Sequence, residues 1–288
     1  MFLKKAIALG TFDGLHPGHR RVLKHPAGYS LTVLTFDIPP KAYFSKKPEL
    51  LMTLDDRVKA IYDLGAEKVV VLEFEKIKDM NAQDFLEYLL KEYSPDMILC
   101  GFNYKFGKDA FGNTSLISDF CNKNGILLSI VEPVLQDGLP ISSTIIRNLI
   151  SSGDIYSANN YIYGGFGFSG PVLHGDNRGH TLGFPTVNQL FPQELIKPKF
   201  GVYYGKMIID GSVFDCVTNI GLRPTFKTEN ITCESFVFDF SGDIYGKNVT
   251  LKPLKFLRAE IKFDNVDDLK NQIIKDIKAA KNLRKAKN

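Results

Sequence analysis

The sequence predicts two domains of different class: an α/β unit with a parallel sheet over residues 1–158, then a small antiparallel β-barrel with a terminal helix over 159–288. Three observations carry this. The chain has 288 residues, enough for two independent cores. Its first half alternates short apolar runs with longer helical patterns. After a glycine-rich stretch at 163–170, strand patterns dominate.

In the first half, AIALG at 6–10, LTVLTF at 31–36, KVVVLEF at 68–74 and DMILCGF at 96–102 read as buried strands. DDRVKAIYDLG at 55–65 and AQDFLEYLLKEY at 82–93 read as helices. Strands separated by helices make a parallel sheet, whose ligands lie beyond the carboxyl ends of the strands, near a switch in strand order. GTFDG and GFNYKFG follow the first and fourth candidate strands.

In the second half, GVYYGKMII at 201–209 turns at Asp210-Gly211 into VFDCVTNI, and ESFVFDF and VTLKPLKFLRAEIKF follow. Short strands with turn residues between them suggest a barrel. Asn265 is placed to cap a helix with Asp268 at its third position, and Val266, Leu269, Ile273, Ile277 and Ala280 recur at helical spacing.

Hydrophobic residues make up 44% and charged residues 24%, which excludes a disordered chain. The net charge is +4, but residues 255–288 hold ten Lys/Arg against five Asp/Glu, so the rest of the chain carries no basic coat for nucleic acid. Cys100, Cys121, Cys216 and Cys233 show no metal-ligand rhythm and read as reduced thiols. The apolar run at the N-terminus is too short for a signal peptide, and no stretch approaches the ~20 residues of a membrane helix, so a cytoplasmic protein without membrane partners is expected.

Two constellations suggest chemistry. In GTFDGLHPGH, His16 and His19 are three residues apart, so a helix opening at Pro17 projects both from one side of its first turn, and Gly18 admits a ligand to the backbone. Imidazoles there suit ATP phosphates, although two accidental surface histidines would give the same letters. In ISSTIIRNLI, Ser142, Ser143 and Thr144 offer cap or phosphate donors with Arg147 one turn later; an ordinary capped helix is the alternative.

The second constellation is HGDNRGHTLGFPTVN at 174–188. Gly175, Gly179 and Gly183 suit a loop over phosphates or an ordinary loop. Thr186 and Asn188 share one side of an extended stretch, where their oxygens suit Mg²⁺ or a simple side-chain turn. Glu234 shares strand parity with Phe236, Phe238 and Phe240, so its carboxylate lies by an apolar face, either as a general base or as a solvated strand-end acid.

GTFDGLHPGH, GFNYKFGKDAFGN and ISSTIIR together resemble the FMN adenylyltransferase module of bifunctional bacterial FAD synthetases, within the nucleotidylyltransferase superfamily. The resemblance implies a Rossmann-like domain with His16 and His19 catalytic at the ATP phosphates, Gly10, Phe12 and Gly18 beside ATP, and Ser143, Thr144 and Arg147 on the triphosphate. It also implies flavin contacts from Asn103 and Phe106. The second half resembles riboflavin kinase through HGDNRGHTLGFPTVN, FGVYYGKM, TNIGLRPTF, ESFVFDF, IYGK and FLRAEIKF. That resemblance implies a six-stranded barrel with Thr186 and Asn188 at Mg²⁺, Gly175, Gly179 and His180 near ATP, Glu234 as the base and Arg258 by the flavin. Riboflavin, FMN and ATP are the implied substrates. A kinase with an altered adenylyltransferase half and a non-catalytic flavin-responsive regulator remain alternatives.

The chain departs from the family at several points. The first helix is cut short by Pro26 and Gly28, Asp37-Ile38-Pro39-Pro40 lacks a frequent His, and Asn103 replaces a frequent Asp. Ala110 and Phe111 stand where basic residues are common, and His180 replaces an Arg.

Overall fold

The computed structural model describes residues 3–45, 48–175, 184–224 and 229–285. The chain divides into a first unit of Met1–Ile146 with Tyr161–Tyr163, and a second of Arg147–Asn160 with Gly164–Asn288. The chain passes from one to the other inside a helix, and residues 147–160 go with the second unit.

The first unit runs β1 (Lys4–Leu9), α1 (Pro17–Val22), β2 (Tyr29–Phe36), α2 (Pro40–Phe44), α3 (Leu54–Asp63), β3 (Lys68–Leu72), α4 (Phe74–Ile77) and α5 (Ala82–Tyr93). β4 (Met97–Gly101), α6 (Thr114–Asn124), β5 (Leu127–Val131) and a hairpin of β6 (Leu135–Gln136) and β7 (Leu139–Pro140) follow, then α7 (Ser143–Ser152). Its five-stranded sheet is ordered β3-β2-β1-β4-β5 and is parallel throughout. Strand order therefore reverses between β1 and β4, which opens a crevice at their carboxyl ends.

Alternation along β1 sends its side chains to two cores. Ile7 and Leu9 join Phe85, Leu86 and Leu89 of α5 and Ile117 and Phe120 of α6. Ala6 and Ala8 join Val22 of α1 and Ala60 and Ile61 of α3. Helices on both faces explain why these strands read as continuous apolar runs. Thr53, Asn81 and Asn113 cap α3, α5 and α6, each accepting a backbone N–H with its side chain. Phe74, expected in a strand, instead opens α4.

The second unit contains α8 (Ile155–Asn159), β8 (Phe168–Pro171), β9 (Val187–Leu190), β10 (Gly201–Ile209), β11 (Ser212–Pro224), β12 (Glu229–Val237), β13 (Asn248–Arg258) and α9 (Val266–Lys285). Its antiparallel sheet is ordered β8-β13-β10-β11-β12-β9. The two end strands meet: buried Gln189 on β9 donates to the carbonyls of Gly170 on β8 and Val249 on β13, both at 3.0 Å. This nearly closes the six-stranded barrel. Asp210 and Gly211 both take positive φ, +47° and +81°, as a two-residue hairpin turn demands. ESFVFDF leaves the sheet after Val237, and FLRAEIKF leaves it after Arg258.

Helix α9 starts at the Asn265 cap, whose Oδ1 accepts the Asp268 N–H at 2.8 Å. Its Ala280 packs with Val202, Tyr204, Val217 and Phe238 of the barrel wall. Among the described residues no helix is long and apolar enough to cross a membrane. All four cysteines are free and buried.

Candidate functional site

Each unit holds part of one of the two constellations. In the first, a cavity of about 400 Å³ lies at the carboxyl ends of β1 and β4, lined by Gly10, Phe12, His16, Gly18, His19, Asn103 and Ser143 among others. His16 is the N-cap of α1, and its Nδ1 accepts the His19 N–H at 3.4 Å. The two imidazoles stack with centroids 3.7 Å apart. Phe12, fully buried at φ +52°, meets His19 edge-on at 5.5 Å. A Cβ on Gly10 would come within 2.9 Å of the Phe12 ring, so glycine is what lets that ring settle.

Burial, with Arg20 adding repulsion, lowers the His16 pKa to about 4. His19 is held well below its ordinary range by burial first, then by His16 and Arg57. Both rings are therefore neutral at pH 7, each with one N–H to donate. The His19 Nδ1 is buried without a hydrogen-bond partner.

Ser143 reaches this region and donates to the Asp13 carbonyl at 3.3 Å. Thr144 is exposed at the start of α7, and Arg147, one turn on, belongs to the second unit. Asn103 is exposed at the cavity wall, whereas Phe106 is buried in the α5–α6 core, 5.6 Å from Phe85. Phe102, Tyr104 and Lys105 line the cavity in its place. Sequence spacing gave no sign of which aromatic of this loop would turn inward.

In the second unit, strand register sets Asn188 on β9 opposite Glu234 on β12, and Glu234 opposite Asn219 on β11. Directly opposed residues share a face, so the three side chains form one row. Thr186 joins it through a 3.5 Å contact between its Oγ1 and the Asn188 amide. A Cβ on Gly175 would collide with that amide, so a larger residue there would have to push the Asn188 side chain aside. Asn219 was missed from sequence; its Nδ2 also donates to Glu260 at 3.2 Å. Gly179 and His180 lie outside the described residues.

Arg258 ends β13. It grips Asp276 of α9 with Nε and Nη2, at 2.9 and 2.7 Å, while Nη1 donates to the Ala259 carbonyl. It anchors the terminal helix, a role that separation by 18 residues concealed.

Residues 3–145 match the FAD synthetase family and residues 164–284 the riboflavin kinase family. The Bacillus subtilis bifunctional riboflavin kinase/FMN adenylyltransferase is 33% identical over 98% of this chain and 94% of its own. The chain belongs to this bifunctional family. The Haemophilus influenzae member is also 33% identical, over 96% of this chain and 93% of its own. A solved Streptococcus pneumoniae chain, described as a macrolide-efflux protein, shares 29% identity at a TM-score of 0.86, covering 98% of this chain and 95% of its own. Both halves of the bifunctional family thus occur here in order, each with its own cavity or polar row.

Proposed function

We propose that this chain converts riboflavin to FMN in its second unit and FMN to FAD in its first, using ATP in both steps. The observation that carries the reading is the pair of family matches at 3–145 and 164–284, each over one of the two constellations.

In the second unit Glu234 accepts the proton of the ribityl 5′-hydroxyl as its oxygen attacks the γ-phosphorus; the bond to the β-phosphate oxygen breaks and ADP leaves. The position of Glu234 beside an apolar wall and between two amides supports this role. Thr186 and Asn188 would hold Mg²⁺. Their hydroxyl and amide oxygens are hard neutral donors, Gly175 has no Cβ to obstruct them, and a bound Mg²⁺ would neutralise charge on the transferred phosphate. Among the described residues no group of three His, Cys, Asp or Glu could replace them as a metal site.

In the first unit an FMN phosphate oxygen attacks the α-phosphorus of ATP, and pyrophosphate departs. No protein nucleophile is required. Neutral His16 and His19 donate hydrogen bonds to the phosphates, and Ser143 and Thr144 add hydroxyls. Asn103 and the neighbouring aromatic residues suit the flavin. Four buried free thiols fit a cytoplasmic setting.

Incubation of the purified chain with riboflavin and MgATP, followed by separation of the flavins, tests the reading. FMN and FAD are both expected. FMN alone would mean an altered first site, and neither product would overturn the proposal.

A further inference from the structure

A charged residue that the mechanism above does not use lies behind the histidines. Arg57, on α3, has no solvent exposure at all. Its Nη1 donates to the Thr11 carbonyl in the loop after β1, at 3.3 Å. Its Nη2 donates to the carbonyls of Phe36 and Asp37 at the end of β2, the latter at 3.2 Å. One guanidinium thus ties together the carboxyl ends of two adjacent strands. Burial works against its charge, and Asp13 and Asp37 favour it. Asp13 is itself buried and accepts the N–H groups of Leu51 and Met52 at 2.9 and 3.2 Å. Asp37 accepts the N–H of Phe74 at 2.9 Å.

A buried charge costs free energy unless geometry repays it, and a hydrophobic residue would fill a core position more cheaply. The cost here falls at the edge of a functional cavity. Thr11, Phe36, His16 and His19 all line it. The Thr11 carbonyl is held twice, by Arg57 and by the Thr35 hydroxyl at 3.0 Å. In a trans peptide the next N–H points the opposite way, so this clamp turns the Phe12 N–H away from Arg57.

We propose that Arg57 is a positioning residue for adenylyl transfer: it fixes the loop between β1 and α1 against the end of β2, and sets a permanent positive charge behind the histidine pair. It contacts loop carbonyls, and its effect on substrate runs through that loop and through His19. The inference rests on the placing of ATP phosphates at His16 and His19. His16 of α1 and Arg57 of α3 act on the His19 charge, Arg20 of α1 acts on His16, Asp13 and Asp37 face the guanidinium, and Lys105 and Glu132 line the same cavity. Removing the Arg57 charge therefore moves the His19 pKa upward, toward its ordinary value.

Arg57→Met, Arg57→Lys and His16→Ala in the full chain test this. Riboflavin phosphorylation should stay unchanged in all three and reports on the second unit. Arg57→Met should lower kcat for adenylylation by about 10²-fold, because a loop displaced by about 1 Å costs that much, and should raise the His19 pKa followed by NMR. Arg57→Lys keeps the charge but cannot span three carbonyls, so it should lose about tenfold in kcat with His19 still neutral at pH 7. A core-filling role would lower the melting temperature and leave kcat and KM per folded molecule at wild-type values; that result in either Arg57 variant overturns the proposal. Should Arg57→Met not fold, wild-type constants in Arg57→Lys are sufficient to overturn it. If His16→Ala adenylylates normally, it is the placing of the phosphates that fails.

Discussion

His16 is kept neutral by the fold, and that has a consequence for stability. Its pKa falls from an ordinary 6.5 to about 4 when the chain folds, chiefly through burial. Between those values the unfolded chain binds a proton that the native chain refuses, so native stability must fall as pH drops from about 6.5 toward 4. His19 adds to this, its pKa being lowered for the same first reason. As pH rises past 6.5 the unfolded imidazoles lose their protons too, and the penalty fades. Denaturant unfolding of His16→Asn should therefore show a shallower loss of stability between pH 6.5 and 4 than wild type, with the two curves parallel from pH 7 to 8. Curves parallel over the whole range would mean that the His16 ring is solvated as in the unfolded chain. Phosphate works in the opposite direction, because an anion beside the rings favours their protonated forms.

At the scale of elements, α9 is held to the barrel by two kinds of contact. Ala280 packs against Val202, Tyr204 and Phe238, and Asp276 receives the Arg258 fork and the Gln272 amide. The Asp276 side chain is only 7% exposed and Arg258 19%, so losing the carboxylate leaves a poorly solvated guanidinium. Asp276→Ala should cost the second unit about 3 kcal/mol, seen as a lower urea midpoint at unchanged m. A loss below about 0.5 kcal/mol, the scale of an exposed pair, would mean that the apolar contacts and the Arg284 bridges to Asp215 and Asp239 suffice to hold the helix. This pair also marks where the sequence stops being legible. β1, β2 and β4 were readable because both faces are covered, the edge strand β3 because three consecutive valines mark it although Val71 is 37% exposed, and the Asp210-Gly211 turn because its backbone demands those residues. β5 was not: it is an edge strand with Leu127 54% exposed and Ile130 39% exposed, which blurs its pattern. α6 carried an Asn113 cap and a Gly125 stop, but the cap was the last residue of a segment read for its motif. The His16–His19 pair and the Thr186–Asn188 pair were visible because the members are local in sequence. Asn219 beside Glu234 depends on strand register, and Arg57 reads as one more charge on a helix until three distant carbonyls converge on it.

For the whole molecule, the proposed chemistry places no covalent bond between the two steps. Kinase residues belong to a barrel with its own apolar cluster, and the histidines to a parallel sheet with two clusters of its own. Each site should then be lost without the other. Glu234→Gln keeps the shape of the side chain but removes the base, so riboflavin phosphorylation should fall by ~10²-fold or more while added FMN is still adenylylated. His19→Ala should do the reverse and accumulate FMN. FMN leaves the first reaction as a complete, free molecule, so a solution containing both variants should recover FAD synthesis from riboflavin, although neither variant makes it alone. The recovered rate should rise with the concentration of the His19→Ala chain, which supplies FMN, until the Glu234→Gln chain is saturated. Added FMN should then give no further increase. If the mixture makes no more FMN than one equivalent of the His19→Ala chain and no FAD, while FMN added from outside is adenylylated, then the product of phosphorylation is not released to solvent, and the two reactions are tied within one molecule.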